Sequence, residues 1–217
     1  MPRPRRSDTG QPATRILAPL TARGQERRDQ LVRAACTLLE EQGFDALGHR
    51  TVAARAGLPL AATTYYFASL DDLTEAAAKA FGEPLMRQAR ALTASLPLPP
   101  QPPDTVARLI VALVAGDDER TDPVRLLTFY ERYAQAGRHP RLRPLVRGWT
   151  DELVRLSALV LARFGYEPAD ELAVQLVALT DGLLLGALID GDERAPALAA
   201  VRVARLLARL QPSAPPA

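Results

Sequence analysis

The sequence predicts an all-α fold, with a short three-helix unit ahead of a larger helical bundle. Three observations lead there. Apolar residues recur at helical spacing along most of the chain, and no segment sustains the period-two alternation of a strand. Apolar residues make up 47% of the 217 positions but aromatics only 5%, so the core must be built of Leu, Ala and Val. Ala and Leu are strong helix formers. Gly and Pro then punctuate the chain at the spacing expected of helix ends.

The elements follow in order. Residues 1–20 hold four prolines and no apolar period, and read as a disordered basic arm. A helix begins near Arg23, with Leu31, Ala35 and Leu38 on one face, and Gly43 closes it. Phe44 and Leu47 follow in a loop that plugs back into the core. Two short helices, His49–Ala56 and Leu60–Tyr66, are separated by Gly57-Leu58-Pro59. Ser69 has the chemistry of an N-cap, with Asp71 and Asp72 in the first turn of a helix reaching about Leu96. Gly82 and Pro84 are expected to interrupt that helix and could kink it. A stiff proline segment, 97–103, comes next. Further helices are expected over Asp104–Ala115, Pro123–Ala136, Arg141–Phe164, Pro168–Asp190 and Arg194–Leu210. Residues 211–217 read as a disordered tail. The organisation is an arm (1–20), a small helical domain (21–68), a larger one (69–210) and a tail.

Charge is unevenly spread. The net charge is +2, yet the first 28 residues carry seven Arg against Asp8 and Glu26. A basic end on a near-neutral body suggests an anionic partner there, such as nucleic acid. A single cysteine, Cys36, rules out an internal disulfide framework and a multi-cysteine metal site. Two histidines, one cysteine and no glycine-rich phosphate loop leave little for catalysis, so neither an enzyme nor a cofactor nor a metal is expected. MPRPRRSDTG has no apolar stretch behind its arginines, unlike a secretory signal. The most apolar run, 172–189, contains Gln175 and Asp181, so no membrane span is expected and the protein reads as cytoplasmic.

The informative stretch is HRTVAARAGLPLAATTYYF, residues 49–67. Two short helices that cross steeply need small residues where their backbones meet and a Gly at the turn. Ala53 and Gly57 stand at those places. Val52, Ala56 and Leu58 supply the apolar plug, and Thr63 and Phe67 seat the second helix on it.

The longer run AACTLLEEQGFDALGHRTVAARAGLPLAATTYYFASLDDL (34–73) resembles the N-terminal domain of the TetR/AcrR family of transcriptional regulators. The resemblance implies a helix-turn-helix domain that binds double-stranded DNA, a C-terminal ligand domain and a homodimer. It places Leu60, Ala61 and Ala62 on the exposed face of a helix that enters the major groove. Such residues can touch thymine methyls but make no bidentate hydrogen bonds. Arg50 then contacts either guanine or a phosphate. Thr64 and Tyr66 match phosphate-donating positions, and Tyr65 either donates likewise or packs on the body. Two positions depart from the family pattern: Thr64, where Tyr is usual, and Leu70, where Lys is common. The arm, through Arg3, Arg5, Arg6 and Arg15, could make up the lost contacts.

In the same resemblance the last two helices, within 168–210, pair with a second copy. Leu172–Ile189 is apolar nearly all round, which demands burial on every side. Gly182 and Gly186 would permit close approach, and the last helix sets Val203, Leu206, Leu207 and Leu210 on one face. The competing reading is that both helices form only an intramolecular core. An unidentified small-molecule effector is expected among the middle helices, with Phe81, Met86, Phe129, Tyr130, Tyr133, Trp149 and Asp181 as candidate contacts. Asp181 is a carboxylate in a Leu-rich helix, where charge is costly unless partnered. A ligand, Tyr130 or a facing Arg would satisfy it; equally, it could face solvent or cap a local bend at Gly182. The competing reading is a helical binding or scaffold protein with weak or no specific DNA binding. Deletion of residues 1–20 is expected to lower DNA affinity and to flatten its dependence on salt, measured by anisotropy titrations across a salt series. Unchanged affinity and slope would remove the arm from the interface.

Overall fold

A computed structural model describes residues 20–116, 123–192, 194–210 and 212. The expected arm and tail therefore fall almost wholly outside the described residues. Among those described, every regular element is a helix.

Helix α1 (Ala22–Gln42) starts at Thr21, whose hydroxyl accepts the Gly24 N–H at 3.2 Å. It ends at Gly43, whose φ of 78° suits glycine and whose N–H bonds the Leu39 carbonyl at 3.0 Å. Leu31, Ala34, Ala35, Leu38 and Leu39 form its buried face. Phe44 begins a 3-10 turn and, with Leu47, is buried as expected. Helices α2 (His49–Ala56) and α3 (Leu60–Tyr66) complete a three-helix unit.

Helix α4 (Leu70–Ala94) leaves this unit, with the Ser69 hydroxyl accepting the Asp72 N–H at 3.1 Å. It runs unbroken through Gly82 and Pro84, so neither residue interrupts it. Tertiary packing explains the difference. Gly82 lies against the indole of Trp149, and a Cβ there would overlap the ring at Trp149 Cζ2. The glycine is a docking notch rather than a helix stop. Arg90 on α4 reinforces the same contact with a bidentate pair to Glu152, at 2.8 and 2.9 Å.

The bundle comprises α5 (Pro103–Ala115), α6 (Pro123–Arg138), α7 (Arg143–Arg163), α8 (Ala169–Asp190) and α9 (Ala195–Leu207). Helix α5 packs chiefly on α9, and α7 on α8, while α4 meets α1, α5 and α7. Helix α6 touches α1, α7 and α8. It thus bridges the three-helix unit and the bundle. The Val203/Leu207 stripe of α9 is used inside the chain, where both residues are fully buried.

Gly82→Ala should lower stability by about 1–3 kcal/mol, the range for overpacking a filled site, even though Ala is the better helix former. Chemical denaturation measures it. A variant as stable as the parent would mean that the Trp149 contact is slack.

Candidate nucleic-acid interface and buried polar cluster

The turn between α2 and α3 has the expected geometry. Gly57 adopts a left-handed conformation (φ 64°, ψ 28°), and its N–H bonds the carbonyls of Ala53 and Ala54. The Leu58 N–H returns to the Ala53 carbonyl at 3.0 Å, closing the helix end. Gln30 on α1 donates to the Ala56 carbonyl at 2.8 Å, and Arg55 forms an ion pair with Glu41. Both contacts clamp α2 to α1. Thr63 is fully buried and donates to the Leu60 carbonyl at 2.8 Å. Arg28 lies over the Phe67 ring, 5.0 Å from its centroid.

These anchors leave one side of α3 open. Leu60, Ala61, Thr64 and Tyr65 are exposed, and Tyr66 is half-buried. Tyr65 and Tyr66 meet edge to face at 4.9 Å. Ala62 differs from expectation: it is half-buried and packs against the core, at the edge of the open face rather than on it. The cause is helical phase, because Ala62 adjoins the buried Thr63. Arg50 is exposed in the first turn of α2, which carries no acid. A cation is misplaced there with respect to the helix dipole, but it adds to that dipole's pull on an anion.

The expected effector contacts do not all converge. Phe81, Met86 and Trp149 are buried core residues, Trp149 closing on the notch at Gly82. Tyr130, Tyr133 and Asp181 do come together. The Tyr130 hydroxyl donates to Asp181 Oδ1 at 2.9 Å and the Tyr133 hydroxyl to Oδ2 at 3.2 Å. Thr150 stands 3.4 Å from the Tyr133 hydroxyl. Phe129 enters through a residue that the sequence reading missed. Arg132 is 2% exposed, and its guanidinium lies over the Phe129 ring at 3.1 Å and the Tyr133 ring at 4.3 Å. It donates to the Phe129 carbonyl at 2.5 Å and to the Tyr133 hydroxyl at 3.1 Å, while Nε has no partner. The only signal in the sequence was its place between aromatics in FYERY.

Burial dominates the electrostatics of this cluster. It pulls Arg132 below its ordinary value, opposed by the nearby Tyr133, Asp181 and Tyr130. It raises Asp181 above the usual carboxylate range, against the hydrogen bond from Tyr130, the charge of Arg132 and the hydrogen bond from Tyr133. Tyr130 is held protonated by burial and by the carboxylate beside it.

Helix α6 also reaches the three-helix unit. The Thr128 hydroxyl donates to the Leu39 carbonyl at 3.4 Å, and Glu131 accepts the Phe44 N–H at 3.4 Å. A Cβ on Gly43 would lie 2.8 Å from the Glu131 carboxylate. Arg141, after α6, pairs with Asp72 at 2.8 Å and with the Ser69 cap at 3.3 Å. A cleft of about 220 Å³ at this junction is lined by Phe44, Leu70, Gln135 and His139 among others. A larger one, about 580 Å³, separates α1 from α4. Neither is lined by the expected effector contacts.

A helix-turn-helix unit whose recognition face is left open, joined to a helical bundle, defines a DNA-binding regulator. Two family models agree: "Bacterial regulatory proteins, tetR family" matches residues 31–77, and "Tetracyclin repressor-like, C-terminal domain" matches 101–211. The chain belongs to the TetR family of transcriptional regulators. The multidrug binding protein EbrR, solved with imidazole, is 31% identical, with a TM-score of 0.65 over 87% of this chain and 97% of that one. EbrR solved with proflavin is 33% identical, with a TM-score of 0.61 over 83% and 99%. A TetR-family member from Streptomyces coelicolor A3 is 32% identical, with a TM-score of 0.59 over 83% and 98%. The HTH-type transcriptional regulator PksA of Bacillus subtilis (strain 168) is 25% identical over 169 residues, 76% of this chain and 80% of that protein.

Asp181→Asn should be more stable than the parent at neutral pH and should converge with it in acid. The raised carboxylate contributes stability that is fully present below its ordinary 3.8 and is lost as pH rises through the folded value. Melting curves between about pH 4 and pH 8 test this. A gap that widens toward acid would contradict it.

Proposed function

We propose that this regulator is a homodimeric repressor, released from its operator when a planar aromatic cation binds near Tyr130, Tyr133 and Asp181. Residues 21–68 read DNA, and 69–210 bind the effector and the second copy. The observation that carries the reading is the open face of α3 beside an acid-free α2 N-terminus bearing Arg50. Leu60 and Ala61 meet thymine methyls in the major groove, with Ala62 at the rim. Thr64, Tyr65 and Tyr66 donate to the backbone, and Arg50 binds guanine or phosphate.

The second copy is inferred from α8. By length and composition this helix is apolar enough to cross a bilayer, with a mean hydropathy of 2.0 over its most apolar 18 residues, yet it packs within the bundle. Its inner side packs on α5, α6, α7 and α9. Its outer side exposes Val174 (56%), Leu185 (47%) and Ile189 (85%), with Gly182 and Gly186 open between them. A helix packed on one side and apolar on the other suits a partner bundle. A self-complementary stripe about a two-fold axis meets that need. Leu198 and Val201 of α9 extend the stripe, in place of the Val203/Leu207 face already used against α5.

The effector class is supported by EbrR, which has been solved with proflavin and with ethidium. Here a carboxylate flanked by two tyrosines offers charge and ring faces to such a cation. An effector that shifts α6 draws Thr128 and Glu131 off the end of α1. DNA affinity then falls as far as the effector discriminates between the two conformers.

The test begins with genomic pull-down of bound fragments, followed by titration of the recovered duplex. Leu185→Glu should separate the copies and abolish specific binding. Arg50→Ala should cost about 1–3 kcal/mol on the specific site if Arg50 reads guanine. If it binds phosphate, the loss is uniform across sequences and the salt slope falls by about one. Equal binding of all duplexes by the parent protein would contradict the proposal.

A further inference from the structure

We propose that the guanidinium of Arg132 is an internal occupant of the effector site: it fills an aromatic cage that an organic cation takes over when it binds. This deepens the effector reading above and rests on it. The case starts from an energetic anomaly. A guanidinium does not give up its proton in a protein, so Arg132 buries a full charge. Buried charges are normally paired with an opposite charge. Among the described residues no ion pair includes Arg132. Its hydrogen-bond partners are the Phe129 carbonyl and the Tyr133 hydroxyl, both on its own helix, and Nε is left without one. The aromatic faces supply the rest, with Phe129 at 3.1 Å, Tyr133 at 4.3 Å and Tyr130 at 6.0 Å from the guanidinium carbon.

This is a cation site with a poor cation in it. The geometry of the anion explains why. Asp181 is one hydroxyl away, accepting from Tyr133, which in turn accepts from Arg132. The charges of Arg132 and Asp181 are therefore linked through a tyrosine rather than in direct contact. A planar cation without a tether could stack on the same rings and approach the carboxylate more closely. Tyr133 is at the surface and Asp181 half-buried, so the cage has an outer wall through which the exchange can occur. Arg132 follows Glu131, which accepts the Phe44 N–H. Expelling the guanidinium disturbs α6 at the residue beside its contact with the DNA-reading unit.

The test uses the full chain and ethidium as the probe. Arg132→Met removes the occupant and keeps the apolar stem, so ethidium should bind about tenfold more tightly or better, because the competing filled state is gone. Asp181→Asn should weaken binding. In the wild-type protein Arg132 should resist phenylglyoxal, and saturating ethidium should make it reactive, read by mass spectrometry of its peptide. That measurement decides the matter if the Met variant does not fold. An Arg132→Met variant that binds ethidium no better than wild type, or an Arg132 that stays shielded in the dye complex, overturns the cage while leaving the repressor reading intact. Loss of binding in the Met variant likewise overturns it, and would mean that the guanidinium itself holds the ligand. If neither protein binds ethidium, the choice of a cationic effector fails, and the cage with it.

Discussion

Helix α6 carries two polar side chains that face different tasks one residue apart. Arg132 is buried against aromatic rings in the bundle, and Glu131 accepts an amide at the end of α1. Thr128, one turn earlier, holds the Leu39 carbonyl. The helix cannot shift at one contact without disturbing the other, because a helix transmits displacement along and about its axis. The effector response proposed above depends on that constraint. The close fit of Gly43 over Glu131 adds a steric reason for glycine where the positive φ already gives a conformational one.

Much of the fold was legible because its signals are local. Thr21, Ser69 and Gly57 act as caps and turn through contacts within a few residues, and so the helices 49–56 and 60–66 could be bounded from sequence. Where the outcome depended on partners distant in the chain, the reading failed or stopped short. Gly82 and Pro84 looked like interruptions, but Trp149 on α7 fills the space that a side chain at 82 would need. Ala62 looked outward, yet its helix is turned by the buried Thr63. The Val203/Leu207 stripe of α9 is buried within the chain, where α9 packs chiefly on α5, a partner no local pattern names.

The polar cluster shows the same division. Asp181 was conspicuous as a lone acid in an apolar helix, and a hydrogen bond from Tyr130 was an expected remedy. Arg132 gave little sign of itself. An arginine among aromatics on an amphipathic helix ordinarily snorkels to solvent. Its burial depends on how α6 packs among helices distant in the chain, and no local pattern encodes that packing.

Helix α8 leaves an apolar face exposed. Val174, Gly182, Leu185 and Ile189 lie along the outside of α8 at spacings that keep them on one face. If a second copy covers that face, the two α3 helices are held at a fixed separation, which α6 and α4 can then alter. Hydroxyl-radical footprinting of the protein on its recovered operator measures this most directly. Two protected segments related by a dyad, with centres about 34–36 Å apart, are the expected pattern. A single protected segment, or uniform protection along the duplex, would contradict it.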